Sequence, residues 1–425
     1  MKILLSAYSC EPGRGSERGV GWNVAREVAR RHEVWVLTRP DESKAAIEAE
    51  LAARPVPNLH FVYFTLPFWQ DSMRWGQSGA MQIHYYLWQL QAYSVARRLH
   101  QTVNFDLAHH VTFVKYSSPS LLSLLPIPFV WGPVGGGESA PAPFWQDFGS
   151  RAKAYEYARN LVRGIGERDP LVRLTARRSA SVRATTHDTA RCLYDLGASD
   201  VDIVPEVGLL DDEMAELNAF DTPTDTPIRF ISMGRLLHWK GFHLGIRAFA
   251  QADVPDAEYW LVGDGSELDS LRQLARDCGV GDRVKFWGRL PREDTLERLR
   301  ACHVLVHPSL HDSGGWVCIE AMSAGRPVIC LDLGGPAVQV TPETGCKIPA
   351  QTPEQAVSDM AAAMKTLARD ADLRDRMGAV GRQQARDRFS WSAVGRTLDA
   401  HYRSLFPQVS SQQDSPQTTG MEVGG

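Results

Sequence analysis

The residues with the most chemistry in them lie between positions 304 and 335, in VLVHPSLHDSGGWVCIEAMSAGRPVICLDLGG. Asp312 and Glu320 flank Gly314, Gly315 and Trp316 there. Glycines let backbone amides come close to a ligand, and two carboxylates around them accept hydrogen bonds from vicinal hydroxyls of the kind a sugar or a ribose presents. Upstream, FISMGRLLHWKGF sets Arg235 just after an apolar run and Lys240 at the entry to a helical stretch. Two cations beside helix-end amides suit a diphosphate. WLVGDGSELDSL repeats the pattern of strand and tight turn with Gly263, Asp264 and Gly265.

The first half holds two more glycine loops. CEPGRGSERGVGW places Gly13 and Gly15 ahead of Ser16 and Glu17, where amides at a helix N-terminus can receive an anion. Its spacing from Gly13, G-x-G-x-x-x-G, is one residue longer than the dinucleotide fingerprint, and the second strand ends Leu37-Thr38-Arg39, without an acidic residue for a ribose. WGPVGGGES carries Glu138 directly after a glycine run, and His109 and His110 close the apolar stretch FDLAHHV at the edge where open α/β sheets gather ligands. No metal-ligand set emerges. His307 and His311 have helical spacing but Pro308 between them, and the D-x-D pairs Asp200/Asp202 and Asp370/Asp372 sit in polar stretches away from these loops.

Positioning such loops requires strands, and short apolar runs alternate with glycine- or proline-rich turns and helical stretches along most of the chain. That is the pattern of an α/β protein with parallel sheets. Strands are expected at Ile3–Ala7, Val34–Thr38, His60–Phe64, Leu107–His110, Pro128–Trp131, Ser181–Thr185 and Val201–Val204. A second set is expected at Ile228–Met233, Glu258–Val262, Val284–Trp287, Val304–His307 and Pro327–Leu331. Between the sets, VPEVGLLDDEMAELNAFDTPTDTPIRF is acidic, proline-containing and without sustained periodicity, as a linker would be. The expected organisation is therefore two doubly wound, Rossmann-like domains over 1–204 and 228–371, a hinge over 205–227, a helical segment over 372–405 and a disordered tail over 406–425.

The 425 residues exceed one ordinary core, which agrees with two domains. Lys plus Arg number 46 against 50 Asp plus Glu, a formal charge of −4, which removes any bulk electrostatic case for nucleic acid. The 7 cysteines are scattered and never spaced C-x-x-C, as expected of free thiols in a reducing compartment. The opening MKILLSAYSCEPG is too short in its apolar part for a signal peptide, and no run approaches the length of a spanning helix. A cytoplasmic protein is expected, free or on the inner face of the plasma membrane.

With these motifs in place, the chain from residue 3 to about 405 resembles the retaining nucleotide-sugar glycosyltransferases of the GT-B fold, family 4. HDSGGWVCIEAMSAGRPV is similar to that family's paired acidic residues around a glycine loop followed by A-M-A-x-G-x-P-V, and GRLLHWKG to its G-R-L-x-x-x-K-G. The resemblance implies two Rossmann-like domains facing across a cleft, with Glu320 on the donor ribose. It gives Asp312 and the amides of Gly314, Gly315 and Trp316 to the transferred sugar and phosphates, and makes Arg235 and Lys240 the diphosphate clamp. Gly13, Gly15, Ser16 and Glu17 would lie over the donor phosphates and acceptor. A histidine at the end of the fourth strand, His110 or His109, would line the reacting sugar. Here the run Asp106-Leu107-Ala108-His109-His110 departs from the family's D-x-x-H-x-H, and Asp312 replaces its usual Glu.

The expected activity is transfer of a hexose from a UDP- or GDP-linked sugar to a saccharide or lipid-linked saccharide, with retention, in exopolysaccharide, lipopolysaccharide or glycolipid assembly. Neither metal nor cofactor is expected, the nucleotide sugar being a co-substrate. Glu17, His109 and Glu138 are expected on the acceptor side. Tyr85, Trp88 and Ala92 share one helical face, which suits core packing, sugar stacking or a membrane interface. Two other readings are an NAD(P)-dependent oxidoreductase using residues 13–21 and a non-catalytic sugar-nucleotide-binding protein.

Overall fold

The computed structural model describes residues 1–40, 43–69, 79–205, 207–224 and 226–406, and of Ser16 the backbone alone. Part of the aromatic stretch, Glu206 and Asp225 of the expected linker, and the tail beyond 406 lie outside the described residues. The first half forms β1 Lys2–Ala7, β2 Glu33–Thr38, β3 Leu59–Tyr63, β4 Leu107–Thr112, β5 Phe129–Val134, β6 Ser181–Ala184 and β7 Val201–Ile203. The second forms β8 Arg229–Met233, β9 Glu258–Val262, β10 Val284–Gly288, β11 Val304–His307, β12 Val328–Leu331 and β13 Gly345–Ile348. All pairings are parallel, in the orders β3-β2-β1-β4-β5-β6-β7 and β10-β9-β8-β11-β12-β13. In both sheets the order reverses beside the first strand, which opens a crevice at the strands' carboxyl edge.

Near-continuous apolar strands become sheets covered on both faces because successive side chains point to opposite sides. In β1, Leu4 packs into a cluster with Tyr8, Trp88 and Trp131, whereas Ile3 and Leu5 pack into another with Val24 and Tyr402. In β11, Val304 and Val306 join one core and Leu305 the other. Tyr85, Trp88 and Ala92 are 1, 0 and 0% exposed, so that aromatic face belongs to the core and offers nothing to sugar or membrane.

Three elements differ from expectation. β13, GCKI, was not expected, since four residues with one lysine make no apolar run; it pairs in register with β12 from Val328↔Gly345 onward. The linker holds a helix, Asp211–Asn218, whose Met214 and Leu217 are buried and whose first turn is acidic, as a helix dipole favours. The helical segment expected over 372–405 is two helices, Ala371–Phe389 and Trp391–Ser404, parted at Ser390, whose side chain caps Ala393 N at 3.1 Å. The last of them returns to the first half. Tyr402 enters the β1 core, and a Cβ on Gly395 would lie 2.8 Å from that of Glu27, so the glycine permits close approach to the helix Ser16–Ala29.

Candidate functional site

β11 ends at His307, and the chain runs through Pro308 to Gly315 before the helix Trp316–Ser323. Asp312 is the hub of that loop. Its Oδ2 accepts from Lys240 Nζ at 2.5 Å and faces His307 Nε2 at 3.2 Å, while its Oδ1 accepts from the amides of Gly314 and Gly315 at 3.2 and 3.1 Å. Burial opposes ionisation, but the hydrogen bond from His307 and the Lys240 charge outweigh it and hold the carboxyl far below its ordinary range. Of the loop amides expected to meet a ligand, those of Gly314 and Gly315 therefore close on Asp312 instead. A short carboxylate two and three residues upstream outcompetes water for them, as in an Asx turn.

Lys240 ends a 3-10 turn, His238–Lys240, and Gly241 follows at φ +66°, where a Cβ would lie 1.9 Å from the carbonyl oxygen of Pro308. Only glycine lets the two loops cross there. Gly263 meets Gly234 O at 1.9 Å in the same sense, and Leu236 N donates to Asp264 O at 2.9 Å, which packs the Gly263-Asp264 turn on the Arg235 loop. The Arg235 side chain is exposed and has no hydrogen bond or ion pair with another described residue. Glu320 is 5% exposed and ion-paired with Arg292, a residue that no motif pointed to; it stands at the start of the helix Arg292–Ala301 after Pro291. Burial pushes the Glu320 carboxyl up, against the pull of Arg292.

In the first half, Gly13 and Gly15 are exposed, and a Cβ on either would touch nothing within 4 Å. Ser16 opens the following helix; its side chain lies outside the described residues. Burial raises the Glu17 carboxyl against the charge of Lys115 and amides of Phe113 and Val114, the chain just past β4. The two histidines do not reach the cleft. His109 is 0% exposed, with Nδ1 at 2.5 Å from Tyr402 Oη and Nε2 at 2.6 Å from Gly132 O. His110, also 0% exposed, meets Ser6 Oγ at 2.9 Å and Tyr85 Oη at 3.1 Å, and burial depresses its pKa to about 3. The strand register, Leu5↔His109 and Ser6↔His110, keeps both beside β1. His110 as a residue lining the sugar, and His109 as an acceptor residue, are not what this structure displays.

Glu138 is likewise no free acceptor-side carboxylate. At 2% exposure it accepts from Thr186 and Thr189 hydroxyls at 2.7 and 2.9 Å, from Gly136 N at 3.1 Å, and across the halves from Ser313 Oγ at 2.6 Å. A second bridge lies nearby, where Glu156 Oε1 meets His238 and His311 Nε2 at 3.0 and 3.4 Å, and Tyr155, Trp239 and His311 stack in series. Burial raises the Glu156 carboxyl, but those hydrogen bonds prevail and bring it down to about 2. Neither bridge has a sequence signature.

Between the halves lies a cleft of about 540 Å³. Gly13, Gly15, Trp22 and Arg26 line it from the first half, and Arg292, Trp316 and Glu320 from the second. It thus unites part of the expected donor set, whereas Arg235, Lys240, Asp312 and the Gly263-Asp264 turn stand along the neighbouring carboxyl edge rather than in its lining. Among the described residues no group of three or more His, Cys, Asp or Glu could hold a metal ion, and no helix is long and apolar enough to cross a membrane.

Residues 215–384 match the family model of glycosyl transferases group 1. The chain is 36% identical over 186 residues to the lipopolysaccharide core biosynthesis glycosyltransferase LpsE of Rhizobium meliloti, covering 44% of this chain and 51% of that protein. The chain thus spans about half the length of the curated relative it matches. Two solved structures align almost throughout. The apo lipopolysaccharide outer core galactosyltransferase WaaB has a TM-score of 0.63 at 13% identity over 96% of this chain and 100% of that one. Anabaena HepE in complex with UDP has 0.59 at 18% over 95% and 100%. The fold is that of the GT-B glycosyltransferases.

Proposed function

We propose that the protein is a retaining, family 4 glycosyltransferase that moves a hexose from a UDP- or GDP-linked sugar to a saccharide or lipid-linked saccharide, in lipopolysaccharide, exopolysaccharide or glycolipid assembly. The observation that carries this reading is the cleft itself, which brings the open Gly13–Gly15 loop opposite Trp316 and the buried Glu320. The similarity of residues 215–384 to group 1 glycosyl transferases and the UDP bound by HepE support it.

In this reading Glu320, oriented by Arg292, receives the ribose hydroxyls, and Arg235, exposed and uncompensated, meets the diphosphate beside Lys240. Their charge stabilises the departing diphosphate in a site of reduced dielectric, with no cofactor required for that task. The bond from the anomeric carbon to phosphate breaks, the acceptor oxygen bonds to the same face of that carbon, and its proton leaves with the diphosphate oxygen. Asp312 already holds Lys240, His307 and two amides, which fits an anchor for the clamp rather than a nucleophile.

A screen of UDP- and GDP-hexoses for released nucleoside diphosphate, with and without saccharide acceptors, tests the reading. Arg235→Ala should lower turnover by about 100-fold or more with the fold intact. Full turnover in both Arg235→Ala and Lys240→Ala would overturn the clamp. Donor binding without turnover would make the protein a sensor, and NADPH binding at residues 13–21 an oxidoreductase; the family similarity favours neither.

A further inference from the structure

One helix of the first half carries an apolar face that nothing among the described residues covers. In Ser150–Arg168, Tyr157, Leu161 and Ile165 recur four residues apart and are 66, 67 and 64% exposed, with Val162 beside them at 63%. On an α-helix they form one ridge, about 12 Å long between Tyr157 and Ile165. Exposed Arg151 and Arg168 stand at its two ends. The acidic residues of this stretch all turn away from it: Glu156 to His238, Glu167 to the Tyr116 hydroxyl at 2.6 Å, and Asp169 to the Tyr86 hydroxyl and Leu171 N, both at 2.8 Å. Tyr86 belongs to the helix Gly79–Val103, whose Ile83 and Leu90, 59 and 50% exposed, lie on its own side within about one turn.

From this asymmetry we infer that the ridge docks on an anionic lipid surface, lying in the interface with the apolar side chains inserted and the arginines among the head groups. Large exposed aliphatics are costly in water, and patches of this kind mark interaction sites. Cations at both ends with every acid turned inward match a negatively charged surface, to which each Lys or Arg adds attraction. The opposite face of the same helix is anchored to the protein: Arg159 and Arg163 donate to the carbonyls of Glu138 and Gly137 at 2.6 and 2.7 Å, and Glu156 forms the bridge to His238. The inference rests on surface chemistry and stands independently of glycosyl transfer.

Flotation of the full chain with vesicles of phosphatidylcholine alone, or with roughly one third phosphatidylglycerol, tests it. The protein should float with the anionic vesicles only. Leu161→Ser/Ile165→Ser and Arg151→Glu/Arg168→Glu should each reduce the bound fraction by about tenfold or more, with thermal melting unchanged. A polarity-sensitive dye on Tyr157→Cys should shift to the blue with anionic vesicles and not with neutral ones. Failure of the unaltered protein to float, or equal flotation of both variants, overturns the inference. So does a dimer in solution that Leu161→Ser/Ile165→Ser converts to monomer, which would assign the ridge to a second copy. Donor turnover in vesicle-free buffer reports the catalytic reading separately, so each can fail alone.

Discussion

The glycine loops at the strand ends of the two halves use the same residue for opposite purposes. After β1, a Cβ on Gly13 or Gly15 would meet open space. After β11 and its neighbours, the Cβ positions of Gly241, Gly263, Gly334 and Gly335 fall 1.9 to 2.4 Å from backbone atoms of other loops. The first loop is open at Gly13 and Gly15, while Glu11 braces its base by accepting from Arg14 and Arg18 at 3.0 and 2.9 Å, so the conformation of those two glycines is left for a ligand to select. The second is cross-linked by Asp312 and pre-set before any ligand arrives. Preorganised charge belongs on the rigid side, because a clamp that must reorganise gives back part of its stabilisation.

The largest way to break this contrast is Gly334→Ala, at φ +61° with its Cβ 2.4 Å from Asp312 O. It should cost at least about 3 kcal/mol in urea unfolding, as left-handed strain adds to overpacking. Gly13→Ala, at nearly the same φ, +67°, should cost only about 1 kcal/mol while weakening donor binding. Equal losses would erase the distinction. Asp312→Asn, which removes the charge shared by Lys240, His307 and two amides, should cost about 2 kcal/mol and free the loop, read as faster hydrogen exchange at Gly314 and Gly315.

A smaller effect concerns the bridge between the halves. The Glu156 carboxyl lies near 2 when folded against 4.5 ordinarily, so its contribution is complete above about 4.5 and is lost as the pH falls through about 2. Glu156→Gln should flatten that acid limb by on the order of 1 kcal/mol, read from urea midpoints at successive pH values. The smallest change is expected from Arg235→Ala, within about 0.5 kcal/mol in stability, because the side chain is exposed and holds nothing. A larger loss would mean that Arg235 braces the fold.

Most of the strands could be read from apolar runs between turn residues, since their two-sided burial leaves a local trace; β13 left none because its four residues include a lysine and only two are buried. The helix Asp211–Asn218 was legible in retrospect from Met214 and Leu217 three apart behind an acidic turn. In the candidate site, Arg235, Lys240, Asp312 and Glu320 stood out because turns at strand ends carry distinctive residues. Arg292 did not, since its partner Glu320 lies 28 positions away and an arginine after a proline looks like any surface cation.

What the sequence by itself determined is the alternation of strands and helices and the placing of carboxylates, cations and glycines at the strands' carboxyl ends, because periodicity and turn chemistry act over a few residues. Which of those groups stay free was decided only in three dimensions. His109 pairs with Tyr402, 293 positions on, Glu138 with Ser313, 175 on, and Glu156 with His238, 82 on. Burial and hydrogen bonding are satisfied by whatever neighbour the fold supplies, and no local rule names that neighbour in advance.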